Sequence, residues 1–77
     1  MSKKNIEEVV KASLEAYFKD LKGERPTEVY DMMLGIIEKP MLEVILLHAR
    51  GNQSKASLWM GLNRNTLRKK MARAGLL

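Results

Sequence analysis

The chain has 77 residues, enough for one domain whose core alone contributes only a few kcal/mol, and it has no cysteine to add a disulfide or thiolate metal site. Hydrophobic residues make up 45% of it, which excludes a disordered chain, and no uncharged apolar run of about 18 residues exists to span a membrane. The formal net charge of +5 is unevenly placed: residues 1–49 carry seven basic and all nine acidic residues, while residues 50–77 carry seven basic residues and no acid.

In chain order, Ile6, Val9, Val10, Leu14, Tyr17, Phe18 and Leu21 recur at three- and four-residue spacing and predict a first amphipathic helix. Asn5 is its expected cap, with Glu8 at the capping-box position, and Lys19, Lys22 and Gly23 close it. A turn over 23–26 leads to a second helix from Glu28 to Ala49, with Thr27 as its expected cap. That helix is apolar on more than one face, and a helix apolar nearly all round is buried nearly all round. Two short helices of the same chain cannot wrap it, so the expected cover is a second copy. Tyr17, Met33, Ile36, Ile37, Met41, Val44 and Ile45 are the candidate dimer-interface residues. Pro40 lies mid-pattern, and because the apolar pattern resumes at once, a kink is expected rather than a break.

Arg50-Gly51-Asn52 reads as a helix stop followed by a new cap, and Gln53 to Met60 as a short third helix. Gly61 ends that helix in a left-handed position, Asn63 caps a fourth running from Arg64 to Arg73, and Gly75 closes it. The predicted class is all-α, with residues 6–49 serving dimerisation and residues 50–77 forming a helix-turn-helix. Two short helices joined through a glycine turn have that outline. Ala56 is small where the helices would cross, and Leu58, Met60, Leu62, Leu67 and Met71 are the expected seam. Trp59 is expected in the core, and His48 as a structural or half-exposed residue.

The fourth helix opens with Asn63, Arg64, Asn65 and Thr66. The start of a recognition helix points at base edges, where Arg pairs with guanine and Asn with adenine in bidentate fashion. Arg68, Lys69, Lys70 and Arg73 follow and suit flanking phosphates, and Asn52, Gln53, Ser54 and Lys55 open the third helix as a further phosphate contact. Double-stranded DNA is therefore the expected partner. His48 has no second histidine or cysteine to share a metal with, and Glu38 and Glu43 fall on different helix faces. With no nucleophile–base set or phosphate loop either, no metal, no cofactor and no catalysis are expected. A helical adaptor without nucleic acid is the rival from another class; it explains the apolar second helix but leaves the acid-free segment unexplained.

The runs Arg50-Gly51-Asn52-Gln53-Ser54-Lys55-Ala56 and Met60-Gly61-Leu62-Asn63-Arg64-Asn65-Thr66-Leu67-Arg68-Lys69-Lys70 resemble the Fis family of bacterial nucleoid-associated proteins. The resemblance extends upstream through Tyr17-Phe18 and Glu38-Lys39-Pro40-Met41-Leu42, and so covers nearly the whole chain. It implies an intertwined homodimer that bends DNA, regulates transcription in the bacterial cytoplasm and nucleoid, and meets RNA polymerase where it acts at promoters. By position it implies that Arg64 contacts a guanine and that Asn63 and Lys69 lie in the base region. Asn52, Ser54, Thr66, Arg68 and Arg73 match backbone or flanking contacts. Asn65, where the family often has glycine, and Ala72 and Ala74, often basic or aromatic there, imply weaker flanking contacts. Only five residues precede the first expected helix, so the family's N-terminal hairpin arm is not expected, nor is stimulation of DNA inversion. The Met1-Ser2-Lys3-Lys4 start reads as that of a complete protein rather than the DNA-binding domain of an NtrC-type activator, a related alternative.

Overall fold

The computed structural model describes residues 2–77, so Met1 of that start lies outside the described residues. Four helices follow one another: α1 (Lys3–Leu21), α2 (Val29–His48), α3 (Gln53–Met60) and α4 (Arg64–Arg73), with no strand among the described residues. The all-α class and the four-helix order agree with the sequence pattern.

Two helix starts differ from expectation. α1 begins one turn early: Ser2 Oγ accepts from the Asn5 backbone N–H at 3.2 Å, so Ser2 is the cap and Asn5 is already helical. Serine caps as well as asparagine does, and Lys3 and Lys4 tolerate the first turn. α2 is entered through Glu28 rather than Thr27, at a left-handed φ of 49°, with no side-chain cap bond. Its packing, not its cap, holds it. α2 runs through Pro40 as one helix, so the apolar pattern on both sides outweighs the backbone bond that proline removes.

The other helix ends repeat one device. Gly51 N–H donates to the Leu46 carbonyl, Leu62 N–H to that of Ser57, and Leu76 N–H to that of Met71, each spanning five residues. This is the bond that closes a helix when the residue after its cap turns left-handed. Gly61 takes that conformation between α3 and α4 at φ 71°, and no L-residue does so without strain.

The core is small. Leu42, Ala49, Ala56, Leu67 and Met71 are the buried apolar residues, and Ile45, Leu46, Met60, Ala74 and Leu76 pack against them half-buried. α2, α3 and α4 thus meet in one knot. α1 takes no part in it: it has no buried residue, and none of its Cα atoms comes within 8 Å of those of another helix. Its first half faces the middle of α2 across an apolar trough of about 750 Å³ lined by Ile6, Val9, Val10, Ile36, Ile37 and Met41. Tyr17 and Phe18 stack edge-on, with ring centroids 5.6 Å apart.

The chain is accordingly extended. Its radius of gyration is 14.9 Å, whereas a compact chain of this length has roughly 11.5 Å. It exposes 6308 Å², against roughly 4,800 Å² for a monomeric protein of its mass.

Gly35 is the one glycine inside a helix, and a Cβ there would meet nothing within 4 Å. Gly35→Ala is expected to raise stability by about 0.5–1 kcal/mol, the helix-interior difference between the two residues. Thermal denaturation checks it; a lowered Tm would mean that a second chain comes up against this position.

Candidate nucleic-acid interface

α3 and α4 are joined by Gly61-Leu62-Asn63, and Ala56 at the crossing is fully buried, so the two helices make a helix-turn-helix. Ser57, where a small apolar residue would serve, is also buried; its hydroxyl donates to the Ser54 carbonyl at 2.8 Å and is thereby satisfied. The expected seam is correct at Met60, Leu62, Leu67 and Met71, all buried or half-buried. It is wrong at Leu58, which is 78% exposed. With Ala56 facing inward, a residue two positions on lies about 200° round the helix and must face out. Trp59 is likewise 53% exposed rather than in the core, and the Lys55 ammonium lies 5.8 Å from its ring centroid, a cation–π contact one turn apart. His48, expected to be structural or half-exposed, lies exposed at the end of α2.

Both helix starts are capped by asparagine. Asn52 Oδ1 accepts from Lys55 N–H at 3.0 Å, and Asn63 Oδ1 from Thr66 N–H at 2.8 Å. The caps have a chemical consequence. Asn63 spends one lone pair of Oδ1 on the helix, so the cap fixes how its amide is turned, and the second lone pair and the N–H groups remain for a base edge. Asn65, exposed in the first turn, keeps both functions.

The solvent face of α4 is formed by Arg64, Asn65, Arg68 and Lys69, all exposed. Arg68 donates to Gln53 Oε1 at 3.2 Å, which joins the middle of α4 to the start of α3. Ser54 and Lys55 are exposed on the first turn of α3, and Thr66 is half-buried at the edge of α4. Among the described residues no carboxylate lies within ion-pair distance of Arg64, Arg68, Lys69 or Lys55. The structure therefore brings the openings of α3 and α4 together into one basic, acid-free surface.

Two of the residues expected at phosphates are drawn elsewhere. Lys70 Nζ lies 2.5 Å from Glu38 Oε2 on α2, and Arg73 Nη2 donates to the Asp31 carbonyl at 3.1 Å with the carboxylate at 3.5 Å. Positions 70 and 73 fall on the side of α4 that faces α2, where the acids are. The sequence reading missed both pairings because their partners are 32 and 42 residues apart.

The expected dimer residues divide too. Ile36, Ile37, Met41 and Val44 are exposed along α2, joined there by Tyr30 and Leu47, which the expectation did not name. Tyr17 and Met33 are half-buried. Ile45 is the exception, because it packs against the core of its own chain.

The fold and this surface define a helix-turn-helix protein with a basic recognition face. The family model for the bacterial regulatory proteins of the Fis family matches residues 34–73, and the chain belongs to that family. A Fis-like DNA-binding protein of Ralstonia nicotianae is 51% identical over 77 residues, the full length of both chains. One from Neisseria meningitidis is 53% identical over 73 residues, 95% of this chain and 92% of that one. The DNA-binding protein Fis of Vibrio cholerae is 42% identical over 76 residues, 99% of this chain and 78% of that longer protein.

Proposed function

We propose that the protein is a homodimeric, sequence-tolerant DNA binder that bends its target, associates with the bacterial nucleoid and regulates transcription. The observation that carries this is the exposed, carboxylate-free row of Arg64, Asn65, Arg68 and Lys69 on the second helix of a helix-turn-helix. In this reading Arg64 and Asn65 address base edges, with Asn63 beside them in an orientation set by its cap bond. Arg68, Lys69, Gln53, Ser54, Lys55, Asn52 and Thr66 serve the phosphates. Lys70 and Arg73 are held by the carboxylates of α2 and stand apart from the direct contacts.

Dimerisation is supported by what the protomer leaves uncovered. The roughly 1,500 Å² it exposes beyond a monomer of its mass would give an interface of roughly 3,000 Å², within the range of obligate dimers. The trough between α1 and α2 is the natural place for the partner's helices, so residues 6–49 are the dimerisation unit and residues 50–77 the DNA-binding unit. No described helix is long and apolar enough to cross a membrane, and the cytoplasm and nucleoid are the proposed location. At promoters the bound dimer would sit beside RNA polymerase, the second partner this reading carries. An adaptor without nucleic acid has no use for the basic row.

The test is titration onto a labelled duplex of about 27 base pairs, longer than two helical turns. It carries an A·T-rich centre flanked by a guanine and a cytosine, and is run against random competitor at two salt concentrations. Tight binding that beats the competitor and weakens as salt rises is expected. Absence of binding at low salt would end the DNA reading.

A further inference from the structure

Both ion pairs among the described residues join the same two helices, α2 and α4. Asp31, Gly35 and Glu38 follow one another at helical spacing along one stripe of α2, while Lys70 and Arg73 are three apart on α4. The pairs cross in opposite sequence order, Asp31 with Arg73 and Glu38 with Lys70, so the end of α4 lies toward the start of α2. Beside the rungs is a hollow of about 280 Å³ lined by Gly35, Lys39 and Ala74 as well as by Glu38, Lys70 and Arg73. The rungs are unequal. Asp31 and Arg73 have side chains 65% and 49% exposed, whereas those of Glu38 and Lys70 are 16% and 30% exposed. Surface pairs contribute little to stability, so Glu38–Lys70 is the pair that counts.

Two facts argue against reading this pair as affinity for a polyanion. A carboxylate beside a nucleic-acid-binding helix opposes phosphate, and pairing withholds Lys70 from it. What the pair supplies is geometry. Apart from the exposed Asp31–Arg73 pair, α4 otherwise meets α2 through one apolar patch, where Leu67 and Met71 pack with Leu42 and its neighbours. A patch of apolar contact with only a solvent-exposed pair beside it lets a helix pivot; a second, better-buried point of attachment stops it. Lys70 is six residues beyond Arg64, and over the roughly 9 Å between them a swing of about 10° moves the reading end by about 1.5 Å. Base-edge recognition tolerates about 0.5 Å.

We propose that Glu38 is a positioning residue for DNA recognition: through Lys70 it fixes α4 against the dimerisation helix, and so sets the separation and pitch of the two reading heads. This rests on the DNA-binding reading above. Glu38 itself touches no DNA; it acts through Lys70 on Arg64.

The experiment measures binding of the full chain, as wild type, Glu38→Gln and the charge-exchanged Glu38→Lys/Lys70→Glu, to a set of duplexes. Their flanking guanine and cytosine are separated by distances that differ in steps of one base pair, and a random duplex is run in parallel. Wild type is expected to prefer one separation. Glu38→Gln is expected to lose at least about fivefold of its preference for that separation, the low end of what one base contact is worth. It should bind random DNA as well as wild type or better, because an opposing charge has gone. The charge exchange is expected to restore the preference. Light scattering and circular dichroism on each variant separate this from loss of fold, and Lys70→Gln, which breaks the same pair from the other side, is expected to match Glu38→Gln.

A Glu38→Gln or Lys70→Gln protein that folds and keeps the wild-type separation profile would overturn the proposal while leaving the DNA reading intact. So would a charge exchange that folds without restoring the profile. Failure of the wild type itself to bind DNA would overturn both.

Discussion

Ile36→Asp is expected to abolish the proposed dimer. Ile36 is 60% exposed on α2 and lines the trough, so most of its surface is left uncovered by its own chain. In a two-fold interface the substitution enters twice, and each copy loses the burial of a large apolar side chain, about 1.5–3 kcal/mol, and desolvates a carboxylate besides. A loss of at least about 4 kcal/mol per dimer is expected, a thousandfold or so in dissociation constant. Light scattering and sedimentation check the prediction. A mutant dimer as tight as wild type would place the subunit contact elsewhere. The detached α1 should melt with the dimer, because an isolated helix of its length is marginal in water.

Arg64→Ala is expected to move two properties in opposite directions. α4 has no acidic residue in its first turn, and Arg64 adds a cation where the helix dipole disfavours one. Such a placement costs stability of about 0.3–1 kcal/mol, so the alanine variant should melt slightly higher. Its binding to the specific duplex should weaken by about 1–3 kcal/mol, with much less change on random DNA. Equal loss on both duplexes would recast Arg64 as a phosphate contact. A residue that opposes the stability of its own helix is one whose use lies outside the fold.

What could be read from the sequence was what is local. Gly61 and Asn63, two residues apart, mark the end of one helix and the start of the next through conformations and bonds that involve only their immediate neighbours. The exposed row from Arg64 to Lys69 follows from the same register. Leu58 and Trp59 went wrong for a different reason: hydrophobic character was read as burial, although the inward position of Ala56 already turned Leu58 outward. Ser2 was passed over because Asn5 is also a good cap, and local preference does not decide between two adequate choices. The ties of Lys70 to Glu38 and of Arg73 to Asp31 were out of reach, because they depend on how α4 crosses α2. The separation of α1 from the other helices was legible only indirectly, as apolar surface on α2 in excess of what one short chain can cover.

The small knot of buried residues has a consequence for regulation. Five buried apolar side chains are too few to hold the chain folded alone, so in the dimer reading folding and association are a single equilibrium. The melting temperature should then climb with protein concentration. The pool of active reading heads should fall with the square of total chain as the protein grows scarce, rather than in proportion to it. Thus the cell's supply of this protein would act as a threshold: dilution through growth and division would switch off occupancy of its weaker sites abruptly, with no ligand or modification required.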